Sequence, residues 1–244
     1  MAIAFGRVAS FTDGNNTTTT SRTSPLAITV TINAGETAVL VWASSQRSTT
    51  NTDFSPVSSI TGGGTWTRRV TAVPNSYLQV EIWSTGAGAA SAATSISVAF
   101  SPTDCDCIAA NVLVYTGVAA IGLTNTNSGT SNLAATTITT QDTNNFVVGG
   151  FVSDTANTNS ANTGTLRNST GISPFSAGHN EAVTGMDNTA ASASAVAVKA
   201  NLVASLLWAS AGLELRSVAG GTLTDDDAGW MPKPWQADPI VSVW

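Results

Sequence analysis

Four acidic residues are the candidates for acid–base chemistry in this chain: Glu81, Glu181, Asp187 and Glu214. A glycosidase needs two carboxyl groups that face each other across a cleft. Nothing in the spacing of these four residues brings any two of them together. Glycan hydrolysis therefore stands last of three functional hypotheses, and we predict a protein that is not an enzyme, with no catalytic residue assigned.

The single histidine, His179, is the only candidate base for a Ser–His–Asp triad. It lies near a turn, in residues 176–180, and the chain has no Gly-x-Ser-x-Gly nucleophile elbow. We expect a loop histidine that is exposed or hydrogen-bonded, without a catalytic role.

The two cysteines, Cys105 and Cys107, are separated by one residue. On a strand their side chains would point the same way, about 7 Å apart, which is too far for a relaxed disulfide. The histidine that could complete a metal site is distant in sequence. We therefore predict two buried thiols.

Three further motifs fail the requirements of a ligand site. The acidic pair Asp104 and Asp106 and the acidic run 225–227 lack the ligand spacing of a calcium loop. The run Gly62-Gly63-Gly64 lacks the lysine and the helix of a phosphate-binding loop, so it predicts a strand connector. We predict no metal and no cofactor.

Charge and hydropathy limit the class of partner. Charged residues make up 10% of the chain, the net charge is −6, and the nine Lys and Arg form no cluster, which argues against nucleic acid. The least polar run, residues 108–123, is too short and too polar to cross a bilayer. Because the start of the chain lacks the features of a signal peptide, we expect a soluble protein that is not exported by the classical route.

The elements that must position these residues are strands. Period-2 alternation recurs along the chain, most clearly in residues 77–83, and glycine-rich or asparagine-rich turns separate the runs. Four more continuously apolar runs predict central strands buried on both faces: residues 37–43, 108–118, 146–152 and 206–215. The predicted fold is all-β, an antiparallel β-sandwich of jelly-roll or Ig-like type.

A weak internal repeat appears at an offset of roughly 100 residues. Residues 37–45 resemble 145–153, 64–68 resemble 164–167, 95–99 resemble 194–198, and 112–118 resemble 207–213. Either two similar sandwiches follow one another, or the halves share two larger sheets. No linker separates the halves, so we favour one domain over 1–218, with halves of about 25–120 and 130–216.

The composition changes after Arg216. Residues 219–244 contain three of the seven tryptophans and three of the eight prolines, which predicts an extended C-terminal arm. Large apolar side chains on such an arm are typical of interfaces. We predict that the arm docks on its own domain or, as the favoured alternative, on a neighbouring chain through Trp230, Met231, Trp235 and Trp244.

Two aromatic residues in the predicted strand 77–83 raise a second hypothesis, carbohydrate binding. Tyr77 and Trp83 fall on its more polar face, where they could stack against sugar rings. Packing against a loop or another subunit explains them equally well. Trp42 and Trp208 lie in apolar strands, so we expect them in the core.

Several short segments carry a resemblance to known proteins: Gly-Gly-Thr-Trp-Thr at 63–67, Val-Tyr-Thr-Gly-Val at 114–118, and Asn-Phe-Val-Val-Gly-Gly at 145–150. With the strand order over residues 25–216, they resemble β-sandwich structural proteins of tailed bacteriophages and, more distantly, bacterial surface domains. The resemblance implies no catalytic residues. It implies a virion or surface role, and the missing signal peptide favours the virion, whose structural proteins are assembled in the host cytoplasm. We therefore expect a protein of the capsid decoration, cement or tail-accessory kind, which binds a major capsid or tail protein and forms a homo-oligomer.

Overall fold

In the part of the chain that the computed structural model describes, every regular element is a β-strand. The structure describes residues 2–13, 23–45, 55–74, 78–101, 105, 107–172 and 180–217. The strands are β1 (Ala4–Asp13), β2 (Leu26–Ile32), β3 (Thr37–Ser45), β4 (Val57–Thr61), β5 (Trp66–Ala72), β6 (Leu78–Thr85), β7 (Ala93–Phe100), β8 (Cys107–Thr116), β9 (Val118–Thr139), β10 (Asn145–Ser153), β11 (Ser160–Thr163), β12 (Thr165–Ile172), β13 (Glu181–Ala190) and β14 (Ala195–Ser217). The predicted all-β, antiparallel class is confirmed.

The first eight strands build one sandwich. A five-stranded sheet has the order β1-β8-β3-β6-β5, and a three-stranded sheet has the order β2-β7-β4. Alternating inward residues of β2 and β7 meet one face of β3 and β8, with Trp42, Ile28 and Ile96 among the fully buried side chains. This apolar layer is the first core.

The remaining strands build a second sandwich because the long β9/β14 ribbon folds over on itself. The pairing slips between Asn201 and Leu206, opposite residues 131–133, where the ribbon bends. As a result Ser210 donates a hydrogen bond to Ala135 O, at 3.0 Å, across the two arms of the ribbon. Phe151 and Met186 are buried between the two layers.

Both sandwiches have the same strand order. In the second, the arm 118–131 of β9 lies beside the arm 206–217 of β14, followed by β10, β13 and β12. The arms 133–139 and 195–201 pair with each other, and β11 pairs with the latter. The segments aligned by the sequence repeat occupy equivalent strands, β3 with β10, β5 with β12, and β7 and β8 with the two arms of β14.

The two larger sheets pack face to face. Val39 and Val41 of β3, Leu113 of β8, Val148 of β10 and Leu213 of β14 belong to one buried core that joins the halves. Gly150 makes the close approach possible, since a Cβ atom there would lie 2.7 Å from Val41 Cγ1. The layers therefore run from a small sheet through two large ones to the folded-over ribbon.

Several local predictions are confirmed. β3 and β8 are buried on both faces, and Trp42 and Trp208 are core residues. Both cysteines are buried and neither forms a disulfide. The three glycines at 62–64 connect β4 to β5 with φ angles of 84°, 72° and 115°, a backbone region that favours glycine.

The alternation of residues 77–83 does not leave the polar face of β6 exposed. Gln79 and Glu81 are as buried as their apolar neighbours, at 3% and 0% exposure. The alternation is present, but β6 lies in a middle layer, so its polar face meets the first core and its apolar face meets the second sandwich.

Candidate functional site

The residues predicted to contact a partner divide into two groups. Trp230, Met231, Trp235 and Trp244 lie outside the described residues, as do Tyr77, His179 and the rest of the predicted arm 219–244. Trp83 lies in β6, is partly buried, and packs against the first core.

The environment of Trp83 limits what its ring can bind. Its indole Nε1 donates a hydrogen bond to Glu81 Oε2 at 2.7 Å. The guanidinium of Arg68 lies 5.9 Å from the ring centroid, within the range of a cation–π contact. The ring is therefore engaged by its own strand and by β5.

Glu81 is a structural carboxylate of the first sandwich. It accepts hydrogen bonds from the side chains of Trp83 and Gln79, and Arg68 Nη1 lies 3.7 Å away. Burial raises the pKa of the Glu81 carboxyl group, although the hydrogen bonds and the arginine act in the opposite direction.

Asp187 is the centre of a polar cluster between the two sandwiches. It accepts two hydrogen bonds from Arg167, at 2.8 and 2.9 Å, and one from the Tyr115 hydroxyl at 2.8 Å. Arg167 also stacks 3.9 Å from the centroid of Phe5, whose ring makes an edge contact with Tyr115. Burial and the neighbouring Asp187 raise the pKa of Tyr115 well above its usual value.

This cluster joins distant parts of the chain. Phe5 and Tyr115 belong to the first sandwich, and Arg167 and Asp187 belong to the second. The bidentate Arg167–Asp187 contact lies within the second sandwich, between β12 and β13, and holds both side chains in place. The contacts that cross between the halves are the Tyr115–Asp187 hydrogen bond and the Arg167 guanidinium over the Phe5 ring.

Glu214 holds together the end of the second sandwich. Its carboxylate accepts hydrogen bonds from Leu123 N at 3.1 Å, from Gln141 N at 2.9 Å and from Asn145 Nδ2 at 2.7 Å. The side chain is 0% exposed. One carboxylate therefore accepts part-buried backbone donors on β9 and on the turn before β10, and a buried side-chain donor on β10 itself.

We predict that Glu214→Leu lowers the free energy of unfolding by about 3 kcal/mol, because the buried Asn145 amide and two part-buried backbone N–H groups lose their acceptor, and a fully buried donor without an acceptor costs roughly 1–3 kcal/mol. Urea denaturation measures the change. The matched control is Asp142→Leu, which removes a partly exposed partner of Arg216 and is expected to cost less than about 1 kcal/mol. Equal losses in the two variants would contradict the anchoring role of Glu214.

The structure does not place any two of the four candidate carboxylates opposite each other. Asp187 and Glu214 flank β10 in register with Val148 and Val147, but Asp187 points to the core between the halves and Glu214 to the opposite face. Glu181 begins β13, six residues from Asp187, about 20 Å along the strand. Glu81 lies in the other sandwich.

Asparagines close one edge of the second sandwich. Asn125 and Asn127 each accept a hydrogen bond at Oδ1 from the next backbone N–H, at 2.9 Å. Their Nδ2 groups donate to Thr137 O at 2.8 Å and to Ala135 O at 3.1 Å on the other arm of β9. These side chains bond edge groups that would otherwise be open to another strand.

Two grooves open where the sandwiches meet. One has a volume of about 320 Å³ and is mainly apolar, lined by Ala2, Ile3, Asn144, Phe146, Thr189, Ala190 and Ala191. The other has a volume of about 420 Å³ and is mainly polar, lined by Thr71, Ala72, Val73, Pro74, Thr126, Asn127 and Ser128. Both sets of lining residues are free of charged side chains.

Within the described ranges, no group of three or more His, Cys, Asp or Glu side chains could hold a metal ion. The same part of the chain includes no helix with the length and apolar character needed to cross a bilayer. Comparison with protein-family models, with curated proteins and with solved structures finds no match to this chain.

Proposed function

We propose that this protein is a non-enzymatic structural component of a bacteriophage particle, a capsid decoration, cement or tail-accessory protein. The observation that carries the proposal is that two equivalent sandwiches are joined through the Tyr115–Asp187 hydrogen bond, the Arg167–Phe5 contact and a shared apolar core. Its buried carboxylates Glu81, Asp187 and Glu214 bind other parts of the chain, which is a framework role.

The strand order supports the same proposal. Strands in the order 1-8-3-6 facing strands 2-7-4 follow the connectivity of a jelly roll, with the fifth strand added to the larger sheet. Viral capsid domains are among the proteins that use jelly rolls. Fold alone does not give function, so the resemblance of residues 25–216 to tailed-phage sandwich proteins adds the second support.

The outer sheets are suited to contact with neighbouring subunits. The outward residues of β2 are Ala27, Thr29 and Thr31, and the folded-over ribbon exposes Thr137 and Thr139. Short side chains lose little conformational entropy when a partner covers them. The proposed contacts are these sheet faces and the segment 219–244, with homo-oligomers as the assembled form.

The decisive measurement is mass spectrometry of purified particles from cells that produce this chain. We expect the protein to be present at a fixed copy number that matches a symmetry of the capsid or tail. Absence from particles, with the protein free in the lysate, would overturn the proposal.

Carbohydrate binding is the second candidate, favoured by the polar groove. Thr71, Thr126, Asn127 and Ser128 offer neutral hydroxyl and amide groups, and Tyr77 follows Pro74 by three residues in the sequence. A glycan array with the full chain tests this function, with Tyr77→Ala as the variant expected to lose binding. No signal on the array would remove this candidate.

A further inference from the structure

We propose that the apolar groove lined by Ala2, Ile3, Asn144, Phe146, Thr189, Ala190 and Ala191 is the docking site for an aromatic side chain of the C-terminal segment 218–244 of the same chain. This inference rests on the proposed function, because it assigns a place in the free subunit to the segment that contacts neighbours in the particle.

The first support is where the described chain ends. Ser217 N donates a hydrogen bond to Asn145 Oδ1 at 3.0 Å, and Ser217 Oγ donates to Thr143 O at 3.0 Å. The residue between these two partners, Asn144, lines the groove. The last described residue, Ser217, therefore lies beside the rim of the groove.

The second support is reach. Trp230 is the thirteenth residue after Ser217, and an extended chain covers up to about 45 Å over that length. The groove lies beside Ser217, after which the segment begins, so every tryptophan of the segment is within reach of it. A short tether also gives a local concentration of roughly millimolar, which favours the same chain over a second copy.

The third support is chemical complementarity. The groove is lined mainly by apolar side chains, with Ile3 and Ala190 buried and the ring of Phe146 partly buried. The segment carries Trp230, Met231, Trp235 and Trp244. An aromatic ring in an apolar pocket removes a large area from water, which is the common form of an interface anchor.

The groove also joins the two sandwiches. Ala2 and Ile3 precede β1 of the first sandwich, and Asn144, Phe146 and Ala190 belong to the second. A side chain seated there contacts both. Assembly would then exchange this contact within one subunit for a contact with a neighbour.

The test measures chymotrypsin cleavage after Trp230 and Trp235 in the isolated full-length protein. Ala191 is exposed and lines the groove, so Ala191→Arg places a charged side chain in the apolar site. Ala204→Arg is the control, since Ala204 is also exposed but lies at the bend of β14, between Asn201 and Leu206, and does not line the groove. Cleavage rates follow the population of the undocked segment when docking is fast.

We expect slow cleavage in the wild type and in Ala204→Arg, and cleavage faster by about tenfold in Ala191→Arg. The same rate in all three proteins would overturn the proposal. Protection that grows with protein concentration between about 1 and 100 µM would also overturn it, because mass action would then identify a second copy as the occupant.

A cross-link gives a second measurement that does not depend on the arginine variant. Ala228→Cys places a thiol two residues before Trp230, and it is combined with Ala191→Cys or, as the control, Ala204→Cys. We expect a disulfide within one chain at 191 and about tenfold less at 204. Equal cross-linking would overturn the docking site. Both experiments use isolated protein, so their outcome does not depend on whether the protein is incorporated into particles.

Discussion

Replacing Arg167 with methionine is expected to lower the free energy of unfolding by about 3–5 kcal/mol, the loss typical of removing one partner from a buried ion pair. Methionine keeps an apolar stem of similar length, so the change isolates the guanidinium. Asp187 is 1% exposed and would keep only the hydrogen bond from the Tyr115 hydroxyl at 2.8 Å. The cation–π contact with Phe5 would be lost as well.

The matched control is Arg216→Met. Arg216 also binds a carboxylate, Asp142, but the two side chains are 35% and 28% exposed. A pair of this kind contributes about 1 kcal/mol or less. Urea unfolding of both variants gives the comparison, and the cluster would lose its assigned role if Arg167→Met cost no more than Arg216→Met.

The position of the cluster gives the Arg167 variant a second expected effect. Because Phe5 and Tyr115 lie in one sandwich and Arg167 and Asp187 in the other, the loss falls on the contact between the halves. Hydrogen exchange should increase first in strands that meet across this contact, such as β1 and β12. Exchange that increases uniformly in the outer sheets would contradict this.

Removing residues 218–244 is expected to abolish incorporation into particles while the fold is retained. A single tryptophan hot spot contributes roughly 2 kcal/mol, which corresponds to about a 30-fold loss of affinity. The segment has three tryptophans, so the truncated chain should be undetectable on particles. Copy number by mass spectrometry, compared with that of the full-length chain, measures the effect.

The fold should tolerate this truncation because β14 ends at Ser217 and the buried cores of the described chain end at Leu215. We expect a circular dichroism spectrum of the same β type and a cooperative melt. A full-length variant with Trp230, Trp235 and Trp244 changed to alanine is the control for chain length. Normal incorporation of either protein would show that the segment is not what binds the protein to the particle.

The asparagine bridges give the polar composition of the chain a structural role. Asn188 repeats the geometry of Asn125 and Asn127, accepting from the next backbone N–H and donating to Ala197 O at 2.9 Å. Open strand edges invite pairing with other chains. We therefore expect contacts with other chains at the outer sheets and at the C-terminal segment, and not at the bridged edges.

The sequence repeat predicted the equivalent strands because these strands have the same packing environment in both halves. Residues 37–45 and 145–153 each form the middle strand of a large sheet and need apolar side chains on both faces. The glycines at 64 and 164 share a positive φ, 115° and 97°, before β5 and β12. Local pattern and turn chemistry therefore predicted the strands and the repeat.

The polar cluster could not be found in the same way. Tyr115 and Asp187 are 72 residues apart, and nothing in their local sequence marks them as partners. Only the matched positions of Arg68 and Arg167 in the repeat offered a signal. Those two arginines take different roles, since Arg68 lies over Trp83 and Arg167 over Phe5.

Side-chain alternation and turn residues act over a few positions, so the sequence by itself determined the strands, their turns and the two similar halves. The tertiary structure alone decided that the two large sheets meet each other, that β6 is buried on both faces, and that Glu81, Asp187 and Glu214 point into separate environments. The physical reason is that a strand's pattern says which residues share a face, whereas the layer that covers this face is set by contacts between residues distant in the chain.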